Sequence, residues 1–284
     1  MIIDADTANE IDDLFAIVRG LIEPNLKIEG ITSSQWHTSP KAPNDSVARS
    51  HQMNREITEL MEMTEVPLAM GANTPLVNKV RPQESQAAEF IIEKAVAVPL
   101  NQKLEIAVLG PCTNVASAVL MEPGIISKIS VSYIGFWHNH QTNTWNKREF
   151  NTNNDPNAVN VLLDTNGLEF NVMTASTSQY LVFLKEEVDQ HLKGEGGIGD
   201  YLVRRWETYD RHWQKEDPEK TRWIMWDVAI IEALANPMLA KKELVKIPHD
   251  NLMRDIYAYT SIDVEAMKQS YWSALDSFVK KSVK

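Results

Sequence analysis

Disulfide scaffolds are excluded at the outset, because Cys112 is the only cysteine in 284 residues and a lone thiol forms no internal bridge. A single cysteine fits a reducing compartment, so the cytoplasm is the default expectation. No apolar run approaches the roughly 20 residues that cross a bilayer. Residues 1–20 carry four Asp and one Glu where a signal peptide is basic and then apolar. The chain therefore reads as soluble, without a membrane partner. Positive charge is in deficit: 28 Lys and Arg stand against 39 Asp and Glu, a net charge of −11. Phosphate backbones are bound mainly by Lys and Arg, so this balance argues against nucleic acid as a partner. GxxxxGKS and GxGxxG are also missing, which leaves nucleoside triphosphates and NAD without support. No Gly/Ser tract, internal repeat or low-complexity block divides the chain, so residues 1–284 read as a single domain.

What is present is an ordinary globular composition, 43% apolar and 24% charged, with short apolar segments alternating with segments of helical period. Strands are expected at 2–6, 27–33, 66–70, 104–109 and 129–135, and helices at 10–22, 44–62, 84–97, 112–121 and 155–164. That beat implies an α/β fold with a mostly parallel open sheet flanked by helices, and places ligands at the C-terminal ends of the strands. From 178 to 235 the pattern turns mainly helical, around a solvated loop at 214–222. The first strand begins almost at Met1, as expected of a piece excised from a longer polypeptide, and such an origin leaves an extracytoplasmic setting open.

The segment IIDADTANEIDD, residues 2–13, is the most informative. Asp4 and Asp6 lie two apart on a strand and share a face, and Asp12 and Asp13 open the following helix. Capping and the helix dipole account for one or two of these carboxylates. At 4 Å and an effective dielectric near 20, two unit charges repel by about 4 kcal/mol, so so dense a cluster holds protons or a cation. All-oxygen ligands suit a hard ion, calcium or magnesium.

This segment resembles the DxDxxxDD signature of the inosine-uridine nucleoside hydrolase family, with two extra residues between the second and third Asp. VLGPCTN (108–114), REFNTNNDPNAV (148–159), WDVAIIEALANP (226–237) and the closing VEAMKQSYWSALDSFVKK are similar to later segments of that family, in order. The resemblance implies the nucleoside hydrolase fold, calcium-dependent cleavage of a ribonucleoside to base and ribose, and a homo-oligomer. It further implies calcium bound by Asp6, Asp13, the Leu109 carbonyl and Asp227, with Asp6 as general base. Asp12, Asn143, Glu149 and Asn151 would hold the ribose.

Departures from the family pattern concern the substrate. Trp226 stands where the best-known members carry His, as in purine-specific members, where the indole stacks on the leaving base; the alternative is a core indole. In ITSSQWHTSP, Trp36 and His37 replace the family's Gly-Asn and offer another stacking platform. The short 75–84 loop implies an open pocket. Tyr209 and Trp213, at i and i+4 on an expected helix, resemble an aromatic pair of the base pocket. His138 and His140 lack a third ligand, Cys112 lacks a base, and His51 and His212 read as surface residues. The expected substrate is thus a purine ribonucleoside. Two alternatives stay open: another glycoside on the same scaffold, and a calcium-dependent sugar or nucleoside binding module without turnover.

Overall fold

The computed structural model describes residues 1–211 and 213–282. Its first half repeats strand and helix: β1 (Ile2–Ala5), α1 (Asp12–Ile22), β2 (Gly30–Ser33), α2 (Ser46–Leu60), β3 (Leu68–Met70), α3 (Gln86–Ala97), β4 (Leu104–Val108), α4 (Thr113–Met121) and β5 (Ile129–Gly135). A hairpin of β6 (Trp137–Asn139) and β7 (Thr144–Asn146) follows, then α5 (Phe150–Asn154), α6 (Pro156–Asp164), β8 (Glu169–Thr174) and the short α7 (Ala175–Ser178). The remainder comprises β9 (Val182–Leu184), α8 (Lys185–Leu192), α9 (Gly197–Thr208), β10 (Arg222–Ile224), α10 (Trp226–Ala235), β11 (Ala240–Lys246), β12 (Asp255–Ile262) and α11 (Val264–Ser282).

Eight strands form one sheet in the order β11-β12-β8-β5-β4-β1-β2-β3. All neighbours pair in parallel except β11 with β12, so the expected mostly parallel open sheet is what forms. Parallel strands are covered on both faces, and β1 shows it, with all four residues buried. Ile3 and Ala5 pack into one core with Leu14 and Phe15 of α1, Ile230 of α10 and Tyr271 of α11. Ile2, Ile106 and Val108 pack into the other with Ile91 of α3, Val115 of α4 and Leu162 of α6. Each fully buried side chain of this kind contributes about 1.5–3 kcal/mol. Among the described residues, no helix is long and apolar enough to cross a membrane.

The chain lays β2 and β3 to one side of β1, then returns to place β4 on the other. That reversal opens a crevice beyond the C-terminal ends of β1 and β4, the usual ligand site of such sheets. Asp6 leaves β1 there, and Leu109 leaves β4. The 178–235 region is less helical than its pattern: β9 and β10 form an antiparallel pair, and α9 ends at Thr208. Tyr209 and Trp213 therefore share no helix, a correction to their i, i+4 reading. His212 lies outside the described residues.

Candidate active site

A cavity of about 390 Å³ occupies this crevice. Its floor is acidic: Asp6, Glu10, Asp12, Asp13 and Asp227 all line it. β1 and the turn after it deliver Asp6, whose carbonyl accepts from Asn9 N at 2.7 Å. Gly110 permits the close approach, since a Cβ there would stand 2.7 Å from Asp6 Oδ1 and 2.4 Å from Ser34 Oγ. Asp12 and Asp13 occupy the first turn of α1, and Asp227 the first turn of α10. The two helices pack together, and Asp227 N donates to Asp12 Oδ2 at 3.3 Å. Their positive N-terminal ends thus converge beneath the carboxylates and favour negative charge there.

The carboxylate oxygens of Asp12, Asp13 and Asp227 include a set lying within 4.8 Å of one another. Asp6 stands beside this trio, close enough for its charge to raise both Asp13 and Asp227. Burial is the main cause of elevation throughout. It pushes Asp12 up to about 7 and holds Asp6, Glu10, Asp13 and Asp227 well above the usual carboxylate range, with mutual repulsion adding to it. Asp6 Oδ2 and Asp13 Oδ1 are buried without any hydrogen-bond partner. Buried carboxylate oxygens left unpaired are costly, and a divalent cation satisfies such a set; its all-oxygen chemistry suits a hard ion. Behind them, Asp4 is fully buried; its Oδ1 accepts from Thr32 Oγ1 at 2.6 Å and Asn114 Nδ2 at 2.8 Å, and burial pushes it up to about 6.

The walls hold the remaining expected residues, with exceptions. Leu109, Glu149, Asn151, Trp213 and Trp226 all line the cavity. The Leu109 carbonyl accepts from Asn151 Nδ2 at 2.6 Å. Glu149 caps α5, its carboxylate receiving the backbone N–H groups of Asn151, Thr152 and Phe136, while burial still raises it. Trp226 is half-buried and meets Trp137 edge-to-face at 5.8 Å between centroids, so its indole is a cavity wall that also touches the core. Tyr209 stands behind Trp213, ring to ring at 5.6 Å, and its hydroxyl donates to the Asn9 carbonyl.

Besides Tyr209, three more expected residues are not in the lining. Asn143 sits at the turn of the β6–β7 hairpin with φ +50°; its Oδ1 faces His138 Nε2 at 2.9 Å and its Nδ2 donates to the Lys246 carbonyl, which holds the amide away from the cavity. Trp36 is buried, its backbone N–H donating to Ser46 Oγ at 3.3 Å, and His37 is exposed. Ser39 and Pro40, further along that loop, line the cavity in their place. His138 and His140 face each other at 2.8 Å through Nδ1 beyond the cavity. Sequence reasoning missed Glu10, Asn9, Trp137, Arg148 and Phe150, all in the lining. Glu10 accepts from the buried Trp223 Nε1 at 2.8 Å. It lay within the acidic segment, whose density was the one available signal; Trp137 and Arg148 carried none.

Residues 1–270 match the model of the inosine-uridine preferring nucleoside hydrolases. A probable uridine nucleosidase 1 from Oryza sativa subsp. japonica is 24% identical over 273 residues, covering 87% of this chain and 80% of that protein. Among solved structures, a plant nucleoside hydrolase superposes with TM-score 0.78 at 18% identity, covering 97% of this chain and 98% of the other. A purine-preferring ribonucleoside hydrolase from Gardnerella vaginalis gives 0.77, also at 18% identity, over 99% of both chains. With this cavity at the switch point of the sheet, the chain belongs to the inosine-uridine preferring nucleoside hydrolase family and is a hydrolase acting on the N-glycosyl bonds of ribonucleosides.

Proposed function

We propose that the protein hydrolyses purine ribonucleosides to base and ribose with calcium bound at the acidic floor. The observation that carries this reading is the pairing, in one cavity, of buried unpartnered carboxylate oxygens on Asp6 and Asp13 with an indole wall formed by Trp226, Trp137 and Trp213. Asp6, Asp13, Asp227 and the Leu109 carbonyl would hold the ion, whose bound charge balances the carboxylates and makes nearby water more acidic. Asp6, at the end of β1 and in the cavity floor, accepts a proton from the attacking water. The water oxygen bonds to the anomeric carbon, and the N-glycosyl electron pair leaves with the base, which takes up a proton. Asp12, Glu149 and Asn151 are the sugar-holding groups, through carboxylate and amide hydrogen bonds to its hydroxyls.

No imidazole lines the cavity among the described residues, so leaving-group activation falls to Trp226. Stacking against an extended π face stabilises the departing bicyclic base more than a single-ring one. The relatives named above include both uridine and purine enzymes, so the indole wall is what favours purine. Release of reducing sugar from inosine, guanosine, adenosine, uridine and a panel of other glycosides tests the reading. Purine nucleosides are expected to give the highest kcat/KM. Equal or better turnover of uridine removes the purine preference, and inactivity on every nucleoside removes the proposal.

A further inference from the structure

The β6–β7 hairpin brings together two imidazoles that the chemistry of the cavity leaves unused. His138 is buried and His140 half-buried, and their Nδ1 atoms face each other at 2.8 Å. Their outer nitrogens have fixed partners. Asn143 turns Nδ2 toward the Lys246 carbonyl, which only accepts, so its Oδ1 receives a hydrogen from His138 Nε2 at 2.9 Å. His140 Nε2 meets Thr177 Oγ1 at 3.1 Å, while that hydroxyl sends its one hydrogen to the closer Tyr259 carbonyl at 2.7 Å; His140 Nε2 is then a donor as well. Both rings thus carry hydrogen on Nε2, and the Nδ1 contact between them needs one more. With none there, two lone pairs would oppose each other, and with two, N–H would oppose N–H.

The surroundings suit a single positive charge. Trp145 stacks on His138 with centroids 3.9 Å apart and planes at 24°, an indole face that attracts a cation. Burial lowers both imidazoles, whereas Asn143 raises His138 and Glu243 of β11 raises His140; His140 in turn lowers His138, which opposes a second proton. Glu243 also pairs with Lys241 at 2.6 Å. The remaining charges of β11 are engaged, Lys242 Nζ on Asn171 Oδ1 at 2.9 Å and Lys246 on Asp255 of β12 at 2.5 Å. Tyr259 of β12, pushed up to about 12 by burial, stays neutral, and α7 contributes only the hydroxyls of Ser176 and Thr177.

We propose that His138 and His140 share one proton between their Nδ1 atoms, and that this proton-bound pair is a pH-sensitive clasp holding the Trp137 wall of the substrate cavity. Trp137 precedes His138 on β6 and lines the cavity edge-on to Trp226. His138 N donates to Ser176 Oγ at 2.8 Å, next to Ala175 of the same lining, so the pair fastens together two segments that carry wall residues. Loss of the shared proton is absorbed, because the Thr177 hydroxyl turns from Tyr259 to His140 and the Nδ1 bond survives. A second proton is not absorbed. Both Nδ1 atoms then donate, the rings separate, and Trp137 loses its anchor, so acidification opens the clasp. In its effect on turnover the inference rests on the hydrolase reading above.

Two measurements on the full chain with calcium test it. The first is magnetic resonance of the histidine nitrogens in the native protein. Near pH 7 both Nε2 atoms are expected to be protonated, with one far-downfield hydrogen coupled to both Nδ1 atoms; on acidification that signal vanishes while the Trp137 indole N–H shifts with the same midpoint. An unprotonated Nε2 on either ring near pH 7, or a Trp137 signal indifferent to the titration, overturns the proposal. The second is kcat/KM for inosine from pH 5 to pH 8 in the native protein and in His140→Gln, whose amide takes no charge. The acidic floor is the same in both, so its protonation cancels when the two are compared. Equal activity is expected at pH 8, and at pH 5 the native protein should lose about two- to tenfold more than the variant, the worth of an edge-to-face aromatic contact. Parallel pH profiles overturn the clasp. If neither protein cleaves inosine, the hydrolase reading fails, and the resonances decide the state of the pair.

Discussion

Calcium should stabilise the protein far more at pH 8 than at pH 5. Asp12, Asp13 and Asp227 offer oxygens no more than 4.8 Å apart. At an effective dielectric of about 20 each ionised pair repels by about 3.5 kcal/mol, and the three pairs by roughly 10 kcal/mol, comparable to the whole stability of a typical protein, about 5–15 kcal/mol. Metal-free, the cluster relieves this by keeping protons, as the raised carboxyls of all three imply. Their folded values lie above the ordinary aspartate value of 3.8. The protonated cluster is therefore fully tolerated below about pH 4, and stability is lost as pH rises through the folded values, about 7 for Asp12. Calcium takes over the role of the protons at high pH and competes with them at low pH. At a hundred times Kd it adds about 2.7 kcal/mol, which for a chain of this size is a Tm rise of about 5 °C. Thermal melts with EDTA and with calcium chloride at both pH values measure this, and calorimetry in buffers of different ionisation enthalpy counts the protons released. A calcium shift of equal size at both pH values, or none at pH 8, refutes the assignment of the floor as a cation site.

Trp226→Ala should lower kcat for purine nucleosides by on the order of tenfold or more, from stacking worth about 1–3 kcal/mol, with a smaller effect on uridine; an unchanged rate beside a collapsed Tm would assign the indole to the core alone. Arg19 Nε bonds the fully buried Glu232 at 2.5 Å. Arg19→Ala should cost about 3–5 kcal/mol in urea unfolding at neutral pH by leaving that charge unpaired, and less as pH falls, because burial raises the Glu232 carboxyl; a loss under 1 kcal/mol at neutral pH contradicts this. Burial pushes Glu105 up to about 7, above the ordinary glutamate value of 4.5, so its folded form is favoured at low pH and penalised as pH rises through 7. Glu105→Gln should accordingly be more stable than the native protein at pH 8, by up to about 3 kcal/mol, and no more stable at pH 4; a gain independent of pH rules out titration of Glu105 as the cause.

Short segments rich in β-branched and other apolar residues were legible as strands in the sequence, as β1, β4 and β5 show. β8 was not, because Glu169 and Asn171 interrupt its pattern. Asn171 is buried and polar because its amide meets Ser130 Oγ at 3.4 Å and Lys242 Nζ at 2.9 Å, partners distant in sequence. The acidic floor was half legible. Asp6, Asp12 and Asp13 announce themselves by local spacing, but Asp227 lies more than 200 residues on and was found only through resemblance to a family. Asn143 and Trp36 lie outside the cavity lining for the converse reason. A hairpin whose Asn143 and Trp145 both donate to the Lys246 carbonyl is positioned by a strand about 100 residues away, and no short-range pattern reports which way its side chains face. The same holds for Arg148, whose neighbours in sequence do not disclose that it stands at the rim of an acidic cavity.

The most direct measurement is diffraction at a wavelength sensitive to calcium, from crystals grown with calcium and ribose. The expected result is one anomalous peak bounded by Asp6, Asp13, Asp227 and the Leu109 carbonyl, with the sugar diol at Asp12 and its anomeric carbon facing Asp6. A floor that binds no ion under these conditions, or a sugar bound away from Asp6, contradicts the mechanism proposed for this protein.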